Sequence, residues 1–180
     1  MRTLIFAALM TMLTQAAHAA APSATSLTAG TTFEEYAGSA TVGIGAVDTD
    51  STLFYIDEKT VGGLESWFIF SDAATPSRVA ATLQFDQPIV AVYTTRAGLD
   101  ATTPIYGADS VSYGSIPFSG LEGADTLTWA AGSKTLTLEW GVIDPGDHIR
   151  VITAVPEPGT LALLTAGMLA VGWLARRRIG

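Results

Sequence analysis

Histidine occurs only at His18 and His148 in the 180-residue chain, and His148 directly follows Asp147. A histidine and an acid can serve a serine nucleophile as base and orienting group. No G-x-S-x-G segment is present to expose such a serine, so the expected state of His148 is a satisfied or solvent-facing imidazole. Asp48-Thr49-Asp50-Ser51 opens like a calcium loop. Thr52 and Leu53 then occupy the fifth and sixth positions, where an EF-hand needs an oxygen ligand and a turn-making glycine. A looser calcium loop from Asp48, Asp50 and Asp57 or Glu58 remains as a reading, with a solvated acidic loop as its plain alternative. No catalytic, cofactor-binding or metal residue is assigned, and no cofactor is expected.

Aromatic rings offer a second chemistry, because the C–H faces of sugars stack on them. Trp67, Trp129 and Trp140, with Tyr55, Tyr93, Tyr106 and Tyr113, are rings that could supply such platforms. Trp129 and Trp140 fall on the apolar side of an alternating pattern and are expected in the core. Tyr106 and Tyr113 lie in a polar, Gly-rich stretch and are the candidate sugar contacts.

Composition excludes other classes. The stretch from residue 20 to 155, about 136 residues, holds five basic residues (Lys59, Arg78, Arg96, Lys134, Arg150) against 16 of the 17 acids, a formal charge of −11. Phosphate backbones and anionic lipid surfaces would repel it, so nucleic acid is not an expected partner. There is no cysteine, hence no disulfide framework or thiolate ligand, and no asparagine for N-linked glycosylation.

The elements that must position these groups read as strands. In "RVAATLQF", Val79, Ala81, Leu83 and Phe85 share one face, a period of two. "TLTWAAGSKTLTLEW" reads as a hairpin with Leu127, Trp129, Leu136, Leu138 and Trp140 inward, Thr126, Thr128, Thr135 and Thr137 outward, and Ala131-Gly132-Ser133 turning between. The outward threonines invite comparison with the flat faces of ice-binding proteins, but two short T-x-T units are too few for one. Such units are also what a solvent-facing strand prefers. Further strands are expected at Thr41–Val47, Thr52–Ile56, Glu65–Phe70, Ile89–Thr95 and His148–Thr153, about eight in all. Gly98–Asp125 is expected to form long connecting loops with at most one helical turn. The predicted fold is all-β, an antiparallel β-sandwich that is jelly-roll-like or Ig-like.

The two ends read as addresses. Arg2, the apolar stretch Leu4–Leu13 and the small-residue pattern Ala17-His18-Ala19 make residues 1–19 a secretory signal peptide, cut after Ala19. Residues 156–180 begin with Pro156, Glu157 and Pro158, continue with 17 uncharged residues from Gly159 to Ala175, and reach Arg176, Arg177 and Arg178. The apolar run is at the lower edge of what spans a bilayer, and the arginines place its end in the cytoplasm with residues 20–155 outside. Two prolines hold the junction extended, a form that suits a protease groove.

V-P-E-P-G-T-L-A-L-L, a helix with small residues, and a terminal R-R-R together resemble the PEP-CTERM sorting signal of Gram-negative bacteria. That resemblance implies recognition by exosortase, a membrane transpeptidase, after signal peptidase has acted. It also implies a transient inner-membrane anchor with the body on the periplasmic side, and final placement at the cell surface with extracellular polysaccharide. The same tail is catalogued as an ice-binding protein C-terminal domain, a label that carries no ice chemistry. "DEKTVGGLESWFIF", "LQFDQPIVAVYTTRAGLDATTPIYGA", "GLEGADTLTW" and "DPGDHIRVITAVPEP" resemble an uncharacterised group of PEP-CTERM proteins with a single small β-sandwich. The leading expectation is a non-enzymatic surface or matrix protein associated with exopolysaccharide or biofilm. A carbohydrate-binding module is the alternative, and a hydrolase built around His148 is third.

Overall fold

The structure is a computed structural model that describes residues 19–155 together with 167–168. Residues 18–155 form one compact unit. In chain order its elements are β1 (Ser23–Leu27), β2 (Thr32–Glu35), β3 (Thr52–Val61), β4 (Leu64–Ser71), β5 (Val79–Gln84), β6 (Ile89–Tyr93), α1 (Arg96–Tyr106), β7 (Thr126–Trp129), β8 (Thr135–Trp140) and β9 (Asp147–Ala154).

The strands make two sheets. One is four-stranded and wholly antiparallel, in the order β1-β5-β8-β7. The other is five-stranded, in the order β2-β3-β4-β9-β6, and is mixed because β2 runs parallel to β3. Alternation decides which side chains meet. Val79, Ala81 and Leu83 on β5 and Leu136, Leu138 and Trp140 on β8 share a core with Leu53, Trp67, Ile69, Ile149 and Val151 of the other sheet. Each of these residues is at most 3% exposed, so one face of each sheet is closed to water, and that burial drives the association.

β4 and β9 read differently: all of Glu65–Ser71 and all of Asp147–Thr153 are buried. A strand buried on both faces needs a second cover, and α1 is part of it. Leu99 packs with Ile56, Phe68 and Phe70 on the face of the five-stranded sheet turned away from the shared core. The turn into β9 is tight. Gly146 sits at φ +83°, where a Cβ would fall 2.3 Å from the Ser71 carbonyl oxygen, so only glycine fits without displacing β4.

Several expectations are corrected here. Thr41–Val47 is not a strand: only the Val42↔Tyr113 bridge forms there, and Gly43 and Gly45 turn the chain at positive φ. Gly98–Asp125 is not all loop, since the three-turn α1 covers its start. β1 and β2 were not anticipated, being short, polar and only partly buried, with little alternation to read. The expected signal helix and membrane helix lie outside the described residues, as do the sorting residues Pro156, Glu157 and Pro158 and the basic residues Arg176–Arg178. Among the described residues no helix is long and apolar enough to cross a membrane.

Candidate functional site

α1 survives a poor helical composition because its ends and its buried side are held. Thr95 caps it by accepting from the Gly98 N–H at 3.2 Å, and the Gly107 N–H closes the last turn on the Thr103 carbonyl. Arg150, on β9 and 0% exposed, reaches up from the sheet. Its guanidinium donates to Glu58 Oε2 at 2.6 Å and Oε1 at 2.7 Å, to the Leu99 carbonyl at 3.0 Å and to the hydroxyls of Thr102 and Thr103 at 2.5 and 3.2 Å. Ser66 Oγ donates to the same Glu58. Phe68 and Tyr113 flank the cation with ring centroids 5.3 and 5.8 Å away. A cation so fully bonded is a structural pin for the helix, not a site left open for a ligand.

His148 lies on the same face of β9, fully buried. Its Nδ1 accepts from the Gly120 N–H at 3.5 Å, while Nε2 has no hydrogen-bond partner. It is therefore neither solvent-facing nor fully satisfied, contrary to the expectation, because the turns around Gly43 and Gly120 cover it. Burial pulls its pKa down to about 4, so it is neutral. Ser119, the nearby hydroxyl, donates instead to the Gly43 carbonyl. No serine donates to His148 among the hydrogen bonds of the described residues, so geometry does not assemble a nucleophile and base.

Asp147 stands next to it, 4% exposed, and its pKa is pushed up to about 8 by burial, then by the carboxylates of Asp125 and Glu122. Asp125 already accepts from the N–H groups of Gly141 and Glu122. Asp72 is also raised, first by burial and further by Asp48 and Asp144, although the Val47 N–H donates to it. These groups gather where β4 ends and β9 begins.

The looser calcium loop does not assemble. Asp50 takes the N–H and hydroxyl of Thr75, while Glu58 is spent on Arg150 and Ser66. Among the described residues no group of three or more histidines and acids is placed to hold a metal ion. The two candidate sugar contacts also separate. Tyr113 packs its ring against Phe68 and accepts the Ala108 N–H on its hydroxyl, and burial, then Glu58, raises its pKa. Tyr106 is half-exposed at the last position of α1, in a helix and not in a loop.

One surface of low net charge stands out. The outer face of the four-stranded sheet carries Thr82, Thr137 and Thr128 in one row across β5, β8 and β7, with Gln84 beside Thr135 in the next. Among the described residues its charged pair is Arg78 with Glu139, 3.0 Å apart at one end.

β9 begins at the acidic turns with Asp147 and ends at Ala154. The N–H groups of Ala154 and Val155 donate to the carbonyls of Pro88 and Gly63, and the next residue is Pro156. No linker separates the folded strand from the sorting residues. This class of chain is a β-rich body whose last central strand runs straight into a C-terminal signal. Residues 154–178 match the PEP-CTERM protein-sorting motif. The chain carries that signal and is an exported exosortase substrate. No curated protein and no solved structure matches the chain.

Sequence reasoning missed the Arg150–Glu58 pair. Its signal was present: an arginine inside "HIRVIT", between apolar neighbours on a strand buried on both faces, needs an acid partner.

Proposed function

We propose that this is a non-enzymatic cell-surface or extracellular-matrix protein, delivered through its sorting signal and retained with extracellular polysaccharide. The observation that carries the reading is the match at residues 154–178, continuous with β9. The tail anchors the precursor transiently in the inner membrane, with Arg176–Arg178 in the cytoplasm and residues 20–155 on the periplasmic side. An exosortase-type transpeptidase acts near Pro156, Glu157 and Pro158, and the two-sheet body, a β-sandwich, supplies bulk and solubility. The hydroxyl row of Thr82, Thr128 and Thr137 supports weak contact with neutral sugar, because it brings donors and acceptors without net charge. Tyr106, half-exposed on α1 over the other sheet, offers a separate ring for stacking.

Reporter fusions active only on one side of the membrane test the topology, and fractionation of the mature protein with and without exosortase tests the sorting. The expected result is periplasmic activity at a body fusion and co-extraction with polysaccharide that depends on exosortase. Cytoplasmic activity of the body fusion, or identical fractionation in the two hosts, overturns the reading.

A further inference from the structure

The amino end of the body enters the fold beside the strand that carries the tail. Ala19 is buried, and its backbone N–H donates to Glu65 Oε2 at 3.2 Å. Glu65 is 0% exposed on β4, and its Cα partner across the sheet is Thr153 of β9, two residues before Val155. A carboxylate withdrawn from water is costly unless donors or a cation compensate it. In the uncut chain the Ala19 amide is one of those donors.

Cutting after Ala19 changes that arrangement in one step. Water hydrolyses the Ala19–Ala20 amide: the new carboxylate leaves with residues 1–19, and the freed amine of Ala20 takes a proton. The Ala19 donor is lost, and a cation appears one residue along, about 3.8 Å from Cα to Cα. Pro22 is buried two residues later and β1 follows, so the new end stays near the place that Ala19 held.

We propose that signal-peptide removal creates a salt bridge, in which the α-ammonium of Ala20 takes the Glu65 carboxylate and fastens the mature amino terminus to β4 beside the root of the sorting tail. The inference rests on reading Ala17-His18-Ala19 as the cleavage pattern. Asp86 and Lys134 line a groove of about 320 Å³ with Ala20 and Ala21. Lys134 donates to the Asp86 carbonyl at 2.5 Å, and both side chains are exposed and so screened by solvent.

The test uses processed protein isolated from an exosortase-bearing host, labelled with 13C-alanine. Amino-terminal sequencing comes first and must give Ala20; any other first residue overturns the cleavage reading and the salt bridge with it. Titration of the Ala20 methyl resonance then reads the α-amino group, whose ordinary pKa is about 7.7–8.0. A proton held at least about tenfold more tightly than that is expected in the wild type. Glu65→Gln, which keeps the shape and an acceptor, is expected to restore the ordinary value, and Asp86→Asn to leave the raised value in place. An ordinary value in the wild type, or a raised one that persists in Glu65→Gln, overturns the proposal even when the first residue is Ala20.

Discussion

Arg150 and Glu58, 92 residues apart in sequence, meet through two N–H···O contacts of 2.6 and 2.7 Å with both side chains closed to solvent. The pair ties β9 to β3. Through Thr102, Thr103 and the Leu99 carbonyl it also ties both strands to α1. Removing one member leaves the other charged, buried and short of partners, a loss of about 3–5 kcal/mol for pairs of this kind.

Arg150→Met and Glu58→Gln are therefore each expected to destabilise the body by about 3–5 kcal/mol in denaturant unfolding. The double variant Arg150→Met/Glu58→Gln is expected to lose less than the two single losses added together, because it leaves no orphaned charge. Strict additivity in that cycle would show that the two residues act independently, against the geometry.

Stability is expected to respond to pH through two buried groups of opposite sign. Asp147 binds its proton up to about 8 in the folded chain against 3.8 ordinarily, so between those values the folded state holds a proton that the unfolded state has released. Rising pH then favours unfolding, and Asp72 works in the same direction. His148 is neutral in the fold above about 4 but takes a proton below 6.5 when unfolded, so rising pH across that interval favours the fold. The two slopes oppose each other from about 4 to 6.5, and only the loss remains from 6.5 to 8. Unfolding midpoints measured from pH 4 to 9 should show little change at first and then a decline. Asp147→Asn should remove most of that decline, and an unchanged decline in the variant would assign it elsewhere.

Legibility in the sequence followed the number of faces a strand buries. The β7–β8 hairpin and β5 each bury one face, so period two was plain and the inward set of Leu136, Leu138 and Trp140 was readable. β1 and β2 bury little and gave no pattern. α1 was hidden because Gly98, Thr102, Thr103 and Pro104 are weak helix formers, and its stability comes from Arg150 on a distant strand. A tertiary bond of that kind has no local signature. The covers over His148, from the turns at Gly43 and Gly120, are long-range in the same way, so its burial was not visible beside Asp147. The sorting residues were the reverse case: a contiguous motif needs no tertiary structure to be recognised.

The direct junction of β9 with the tail leads to a processing prediction. Pro156→Ala/Pro158→Ala removes the two φ restraints at the motif but leaves the Val155–Gly63 bond and the strand in place. Tail removal is expected to fail in this variant while export continues. Intact mass of surface-extracted protein decides it: the wild type should lack the 17 uncharged residues and the arginines, and the variant should still end at Gly180. A processed variant of wild-type mass would mean that the two prolines do not direct the cut.

Contact with polysaccharide is expected to be weak and to respond to salt in an unusual direction. With −11 on the body, an acidic polysaccharide is repelled, so affinity should rise with ionic strength as repulsion is screened, whereas a neutral polysaccharide should show little dependence. Thr128→Glu/Thr137→Glu puts two charges on the outer face of the four-stranded sheet at exposed positions, with about 0.5 kcal/mol or less of stability at stake for each. It should weaken binding to the acidic polymer most and lose part of that effect at high salt. Tyr106→Ala should weaken both polymers alike, since stacking is indifferent to charge, and Tyr113→Ala should lower stability, since its ring packs on Phe68. Equilibrium binding of the processed protein to each polymer at low and high salt reads all three variants. Tight wild-type binding that weakens with salt would require a cationic surface that the described residues do not present.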